Sequence, residues 1–127
     1  MLDDRETPPS STMLDDEGVW DLGSNRTGWG APLGDRCGGP DVSPYAAPAR
    51  AEDLSGLPPV FIEVGSVETF HDECVDYAQR IWEAGGAAEL HVWAGACHGF
   101  DQLVPQATLS RTAARTRTEW VRRLLAP

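Results

Sequence analysis

Glu68 and His98 are the two residues of this chain whose types and settings point to chemistry. Glu68 follows the apolar run Val60 to Val64 and the turn Gly65-Ser66. His98 follows a second β-rich run, Glu89 to Trp93, and a turn of small residues. A carboxylate and an imidazole thus each stand just past the end of a predicted strand. If the two strands are parallel neighbours, both side chains lie at the carboxyl edge of one sheet, where open α/β sheets bind ligands. Such a pair is the acid and base portion of a nucleophile–His–acid triad. The histidine takes a proton from a hydroxyl nucleophile and returns it to the leaving group. Imidazole is the side chain suited to both steps near neutral pH. The carboxylate accepts a hydrogen bond from the other ring nitrogen, which holds one tautomer and stabilises the imidazolium.

The elements that must position this pair are legible in the pattern. Val60 to Val64 has the composition of a strand buried on both faces. His71 to Ala84 predicts a helix whose apolar stripe is Cys74, Val75, Ala78, Ile81 and Trp82. Asp72, Glu73, Asp76, Arg80 and Glu83 take its polar side, and Gly85-Gly86 ends it. Glu89 to Trp93 alternates, with Leu90 and Val92 on one face and His91 and Trp93 on the other. Strand, helix, strand over this length reads as a βαβ unit. A last helix is expected from about Thr108 to Leu125, buried through Leu109, Ala113, Trp120, Val121, Leu124 and Leu125.

Residues 1–59 read differently. Met1 to Glu17 shows little periodicity and is expected to be loop. Ser24-Asn25 predicts the cap of a short helix running to Leu33, with Gly34 as its stop. Trp29 and Leu33 share a face of it, and on their own Trp20 and Trp29 would be exposed. The prolines at 40, 44, 48, 58 and 59 exclude a long helix or central strand from Cys37 to Pro59. A segment that long is expected to wrap over another surface.

Composition narrows the functional classes. At 127 residues the chain holds at most one domain. The net charge of -10 argues against a nucleic-acid surface, which needs a basic stripe. There is no lysine, and the arginines near the C-terminus are expected on a solvated helix face. Three widely spaced cysteines, without a C-x-x-C pair, support neither a zinc site nor a redox motif. Free thiols in a reducing cytoplasm are the expectation. No apolar run is long enough to span a membrane. No cofactor or metal is expected; His71, Asp72, Glu73 and Cys74 are consecutive and would point in different directions on a helix.

The stretches VGSVETFHDE and YAQRIWEAGGAAELHVWAGACHGF resemble the C-terminal part of the α/β-hydrolases called hormone-sensitive lipase-like esterases. The upstream piece SPYAAPARAEDLSGLPPVFIEVGS is similar to that family's approach to its acid-bearing strand. The resemblance covers nearly the whole chain and well under half of a complete family member. It implies an α/β fold: the C-terminal βαβα part of an α/β-hydrolase sheet at 60–127, preceded by an irregular Pro/Gly-rich region with a short helix at 1–59. It also implies roles. The family pattern is Gly, a small residue, any residue, then the acid, here Gly65, Ser66, Val67 and Glu68. Glu68 stands where the family usually has Asp, and His71 where an Arg usually precedes the Asp-Glu pair. His98-Gly99-Phe100 matches the His-Gly-Phe motif of the family's catalytic histidine.

The triad order of this fold is Ser, acid, His, with the serine in an upstream G-x-S-x-G elbow. Neither that pattern nor an HGGG-type oxyanion loop occurs in the sequence. The chain is therefore expected to be a C-terminal portion of a serine carboxylic-ester hydrolase, inactive alone, whose complete form takes a small acyl-ester substrate. The alternatives are a non-catalytic remnant or interaction module, and part of a related peptidase-like α/β hydrolase. An unpaired edge of the Val60 strand is expected to promote self-association. Other candidates have plainer readings. His71 is a helix-entry residue, His91 a packed or edge histidine, and Ser66 a local cap. Cys97, adjacent to His98, is poorly placed for proton transfer. Trp20 and Trp29 are expected in the core or bordering an acyl pocket.

Overall fold

A computed structural model describes residues 1–126. Two strands, β1 (Val60–Gly65) and β2 (Ala88–Trp93), run parallel in register from Val60 opposite Ala88 to Gly65 opposite Trp93. The helix α2 (His71–Glu83) joins them and packs on both. Its apolar positions Ala78 and Ile81 are fully buried. After β2 comes a single helical turn, α3 (Phe100–Leu103), which the sequence pattern did not predict, then α4 (Thr108–Leu125). The α/β class and the βαβα order expected from the sequence are what the chain adopts.

Side chains of a strand alternate between its faces. Phe61, Glu63, His91 and Trp93 therefore share one face. His91 stacks on Trp93 with ring centroids 5.5 Å apart, and Phe61 lies 5.3 Å from His91. The helix α4 lies on this face, with Trp120 5.5 Å from Phe61 and Arg117 paired with Glu63. Two expectations need correction here. Val121, Leu124 and Leu125 of α4 are exposed rather than buried, and the helix buries Ser110 and Ala113. Residues Val60 to Glu63 are half-buried rather than enclosed. Among the described residues β2 pairs with one edge of β1 and no strand pairs with the other.

The N-terminal region is more structured than its composition suggests. The short helix α1 (Leu22–Leu33) starts earlier than predicted. Asp21, not Ser24, caps it, accepting the Ser24 N–H at 2.7 Å. Leu22, Asn25, Trp29 and Leu33 turn inward, and Trp29 and Leu33 form a small core with Val42 and Ala47. Trp29 is thus 4% exposed, and residues 37–47 supply the cover that it would lack on its own.

Buried polar groups hold this region to α2. Glu73, assigned to the solvated side of α2 by periodicity, is 4% exposed. Its two oxygens accept the backbone N–H groups of Leu2 at 2.7 Å and Asp3 at 3.2 Å. Asp4, 2% exposed, accepts two hydrogen bonds from Arg50, at 2.7 and 2.9 Å, and one from the Gly38 amide. Arg80 of α2 donates to the carbonyls of Ala49 and Ala51. In the 3-10 turn Pro9–Thr12, Ser10 and Asp72 exchange hydrogen bonds: Ser10 N–H to the Asp72 carboxylate at 2.9 Å, and Asp72 N–H to Ser10 Oγ at 3.0 Å. No helix among the described residues is long and apolar enough to cross a membrane.

Candidate active site

The loops that leave β1 and β2 are stapled to each other. Ser66 N–H donates to the Trp93 carbonyl at 2.9 Å, and Val67 N–H to the Ala96 carbonyl at 3.0 Å. Gly95 N–H donates in return to Ser66 Oγ at 2.8 Å. Gly65 is needed where the loops meet, because a Cβ there would sit 2.2 Å from the Ala96 carbonyl oxygen. Gly99, with φ of 67°, then turns the chain from His98 into α3.

This stapling brings Glu68 and His98 together. Glu68 Oε1 lies 3.1 Å from His98 Nδ1, and Glu68 Oε2 accepts the Gly65 N–H at 2.8 Å. With the carboxylate ionised and acceptor-only, Nδ1 carries the proton and donates. Nε2 is left without a hydrogen-bond partner among the described residues. The carboxylate is buried, with Glu68 5% exposed, while the imidazole side chain is 40% exposed. One nitrogen is therefore held from within and the other remains available for proton transfer.

The other histidines show what this geometry excludes. Each is also paired with a carboxylate: His71 with Asp72 at 2.7 Å, and His91 with Glu89 at 3.0 Å. Those partners are one and two residues away in sequence, and both carboxylates are one-third exposed. Only Glu68 reaches its histidine across the sheet edge from a buried position. His91 packs against Phe61 and Trp93, as a packed histidine does.

A pocket of about 260 Å³ opens beside the pair, bordered by Gly65, Phe70, Cys74, Gly99, Phe100 and Arg117. Its lining includes a thiol, that of Cys74. Burial, together with the charge on Glu73, pushes the Cys74 thiol up to about 12. It is therefore protonated at neutral pH, and the thiolate is the reactive form of cysteine. On another wall Arg117 bridges Glu63 and Asp101, the latter at 2.9 Å. Burial raises the Glu63 carboxyl above its usual range despite the nearby Arg117 charge and the hydrogen bond from Trp93.

Two neighbours of His98 have no signature in the sequence pattern. Phe70 packs edge-on against the imidazole with centroids 5.1 Å apart, and Trp20 lies 5.7 Å away on another side. A place two residues after Glu68 is the only signal for Phe70. Trp20 was expected in the core or at an acyl pocket, and its contact with the histidine comes from 78 positions away, a separation no local pattern reports. Trp29 is in its own core and does not line the pocket. No group of three or more His, Cys, Asp or Glu side chains among the described residues is arranged to hold a metal ion.

Comparison with known proteins sets this geometry in a family. The sequence profile of the alpha/beta hydrolase fold family matches residues 1–102. The chain belongs to the α/β-hydrolase family. Among solved structures it is similar to a bacterial heroin esterase, at TM-score 0.94 and 38% identity over 100% of this chain and 41% of that one. It is also similar to an esterase of the bacterial hormone-sensitive lipase family, at TM-score 0.80 and 28% identity, covering 96% of this chain and 40% of that one. An acetyl-hydrolase of Streptomyces hygroscopicus is 33% identical over 79 residues, which is 62% of this chain and 26% of the relative. This α/β-hydrolase chain therefore spans about a quarter of that curated relative and about two fifths of the solved ones. Its likeness is to hormone-sensitive lipase-like esterases, as the motifs around Glu68 and His98 implied.

Proposed function

We propose that this chain is the acid and base portion of a serine carboxylic-ester hydrolase, with Glu68 as the acid and His98 as the general base. The observation that carries this reading is the 3.1 Å approach of buried Glu68 to Nδ1 of a half-open His98 at the carboxyl edge of a parallel sheet. The reaction follows from the geometry. A serine hydroxyl placed at Nε2 gives its proton to His98 as it attacks the ester carbonyl, and Glu68 stabilises the imidazolium. The same proton passes to the leaving alcohol as the acyl-serine forms. Water repeats the cycle and releases the acid. No G-x-S-x-G sequence lies in the 127 residues, so the nucleophile and the oxyanion donors come from outside them.

The test joins the chain behind the nucleophile-bearing upstream portion of a homologous esterase and follows hydrolysis of a short-chain aryl ester. The chain alone is expected to show background rates. The fusion is expected to turn over, and to stop on His98→Ala. Turnover by the chain alone that disappears with His98→Ala would place a nucleophile within these residues and overturn the division of labour. Fusion turnover indifferent to His98 would overturn the role of the pair, and the remnant reading would replace it.

Residues 1–127 act as one partial domain in this reading, in which 1–59 braces the unit at 60–127. Two further parts of the proposal concern its setting. The three unpaired cysteines favour a reducing, cytoplasmic location. The unpaired edge of β1 favours self-association of the chain, read as concentration-dependent sedimentation.

A further inference from the structure

Among the described residues the His98 ring has a single hydrogen bond, at Nδ1, and its side chain is 40% exposed. One such bond fixes a point on the ring and leaves its plane free to turn. The terminal torsion of histidine is broad and roughly two-fold, so it supplies little restraint of its own. The restraint comes from two aromatic rings. Phe70, 4% exposed, meets the imidazole edge-on at an interplanar angle of 73°. Trp20 meets it at 53°, and Trp20 and Phe70 touch each other with centroids 5.9 Å apart. The three rings form a closed triangle at separations where aromatic pairs attract.

The placing of Trp20 is specific. The stretch before it is mostly exposed, and its indole nitrogen is buried without a hydrogen-bond partner among the described residues. The indole is thus not anchored by its own polar group. Its backbone carbonyl instead accepts a hydrogen bond from Thr69 Oγ1 at 3.2 Å, and Thr69 is 1% exposed. From the other side α1 leans on the indole through Gly28, where a Cβ would come within 3.2 Å of Trp20 Cζ2. Three consecutive residues of one loop therefore converge on His98. Glu68 binds its nitrogen, Thr69 latches Trp20 beside it, and Phe70 closes another side.

We propose that Trp20 and Phe70 form an aromatic clamp that keeps Nδ1 of His98 on Glu68 and Nε2 turned outward, which makes Trp20 a positioning residue supplied by the N-terminal region. The inference rests on the acid and base reading of Glu68 and His98. It goes further in giving 1–59 a direct part in the site. Loss of the Trp20 ring lets the imidazole turn about its terminal torsion, so the tautomer with the proton on Nε2 becomes populated.

The test is a long-range ¹H–¹⁵N correlation spectrum of the histidine rings in the 127-residue chain, at a pH where the imidazoles are neutral. The His98 signals are assigned by their loss in His98→Ala. The wild-type chain is expected to show one tautomer, with the proton on Nδ1. Trp20→Leu is expected to lower the ratio of Nδ1–H to Nε2–H by about three- to ten-fold, the scale of one aromatic contact. Trp20→Phe is expected to restore most of it. Thr69→Val, which keeps every ring and removes only the latch, is expected to shift the ratio the same way by less, and it decides the matter if Trp20→Leu does not fold. A wild-type spectrum of mixed tautomers would overturn the Glu68–His98 reading and the clamp together. A single wild-type tautomer unchanged by a folded Trp20→Leu, or by Thr69→Val in its place, would overturn the clamp and leave the pair standing.

Discussion

Asp4 and Glu68 are buried to nearly the same depth, 2% and 5% exposed, and each meets a basic side chain. Asp4 grips Arg50 with both oxygens, and the Arg50 side chain is 13% exposed. Glu68 offers His98 one oxygen, gives the other to a backbone amide, and leaves the imidazole 40% exposed. The difference lies in the partner. A guanidinium does not give up its proton and fits a carboxylate at two points. The first pair is therefore closed, and it fastens the Leu2–Arg5 segment to the loop at Gly38 and Arg50. An imidazole exchanges protons near neutral pH, and its second nitrogen faces outward. Depth of burial does not tell these two carboxylates apart; the partner and its open side do.

Breaking the two pairs should separate them most. Asp4→Asn leaves Arg50 without its countercharge, and about 3–5 kcal/mol of stability should be lost in urea unfolding. Glu68→Gln leaves one amide oxygen for the two donors that Glu68 serves, so one hydrogen bond is lost beside a half-open ring, and about 1 kcal/mol should be lost. Equal losses would erase the distinction.

The glycines sharpen it on a smaller scale. Gly65→Ala places a methyl group against the Ala96 carbonyl where the two loops are stapled, and should cost about 1–3 kcal/mol. Gly30→Ala, in α1 with nothing within 4 Å of the new methyl, should instead stabilise by up to about 1 kcal/mol. Thermal unfolding of the two variants should shift in opposite directions, and a shared upward shift would show that the crowding at Gly65 is relieved cheaply.

The smallest expected effect is in acid. Burial alone would raise the Asp4 carboxyl, but its hydrogen bond to Arg50, the Gly38 amide and the Arg50 charge outweigh burial and hold it below the usual range. A depressed carboxyl contributes stability that is whole above the ordinary value of about 3.9 and is lost as pH falls through the lower folded value. Glu73 behaves in the opposite sense. Burial raises it more than the amides of Leu2 and Asp3 lower it. The folded state then binds the proton first, and the Glu73 contribution grows as pH falls from its raised value toward about 4.3. Urea midpoints between pH 7 and 3 should lose the acid-side decline in Asp4→Asn and the preceding rise in Glu73→Gln. Parallel curves for the wild type and both variants would contradict these directions.

The sequence exposed the sheet and the pair more fully than their surroundings. Val60–Val64 and Glu89–Trp93 are recognisable because β-branched and aromatic runs end at glycine turns, and His98-Gly99-Phe100 carries a family motif in three adjacent letters. Glu73 was misread because periodicity knows only that charges sit outward. Its two buried oxygens are satisfied by amides 70 and 71 positions away. The cap of α1 was misplaced by three residues, since Asp21, Ser24 and Asn25 are all acceptable capping types and only the fold selects Asp21. The Trp20–Phe70–His98 triangle joins three distant segments, and nothing in one dimension marks it.

The central claim is that Glu68 and His98 act as one unit on a nucleophile. A double-mutant cycle in the fusion with the nucleophile-bearing portion tests it most directly, read as kcat for a short-chain aryl ester. His98→Ala should lower kcat by about 10⁴-fold or more, and Glu68→Gln by about 10²- to 10⁴-fold. The double variant should be no slower than His98→Ala, because the carboxylate acts through the ring. Losses that multiply in the double variant would show that Glu68 works independently of His98, and would contradict the claim that the two form one unit.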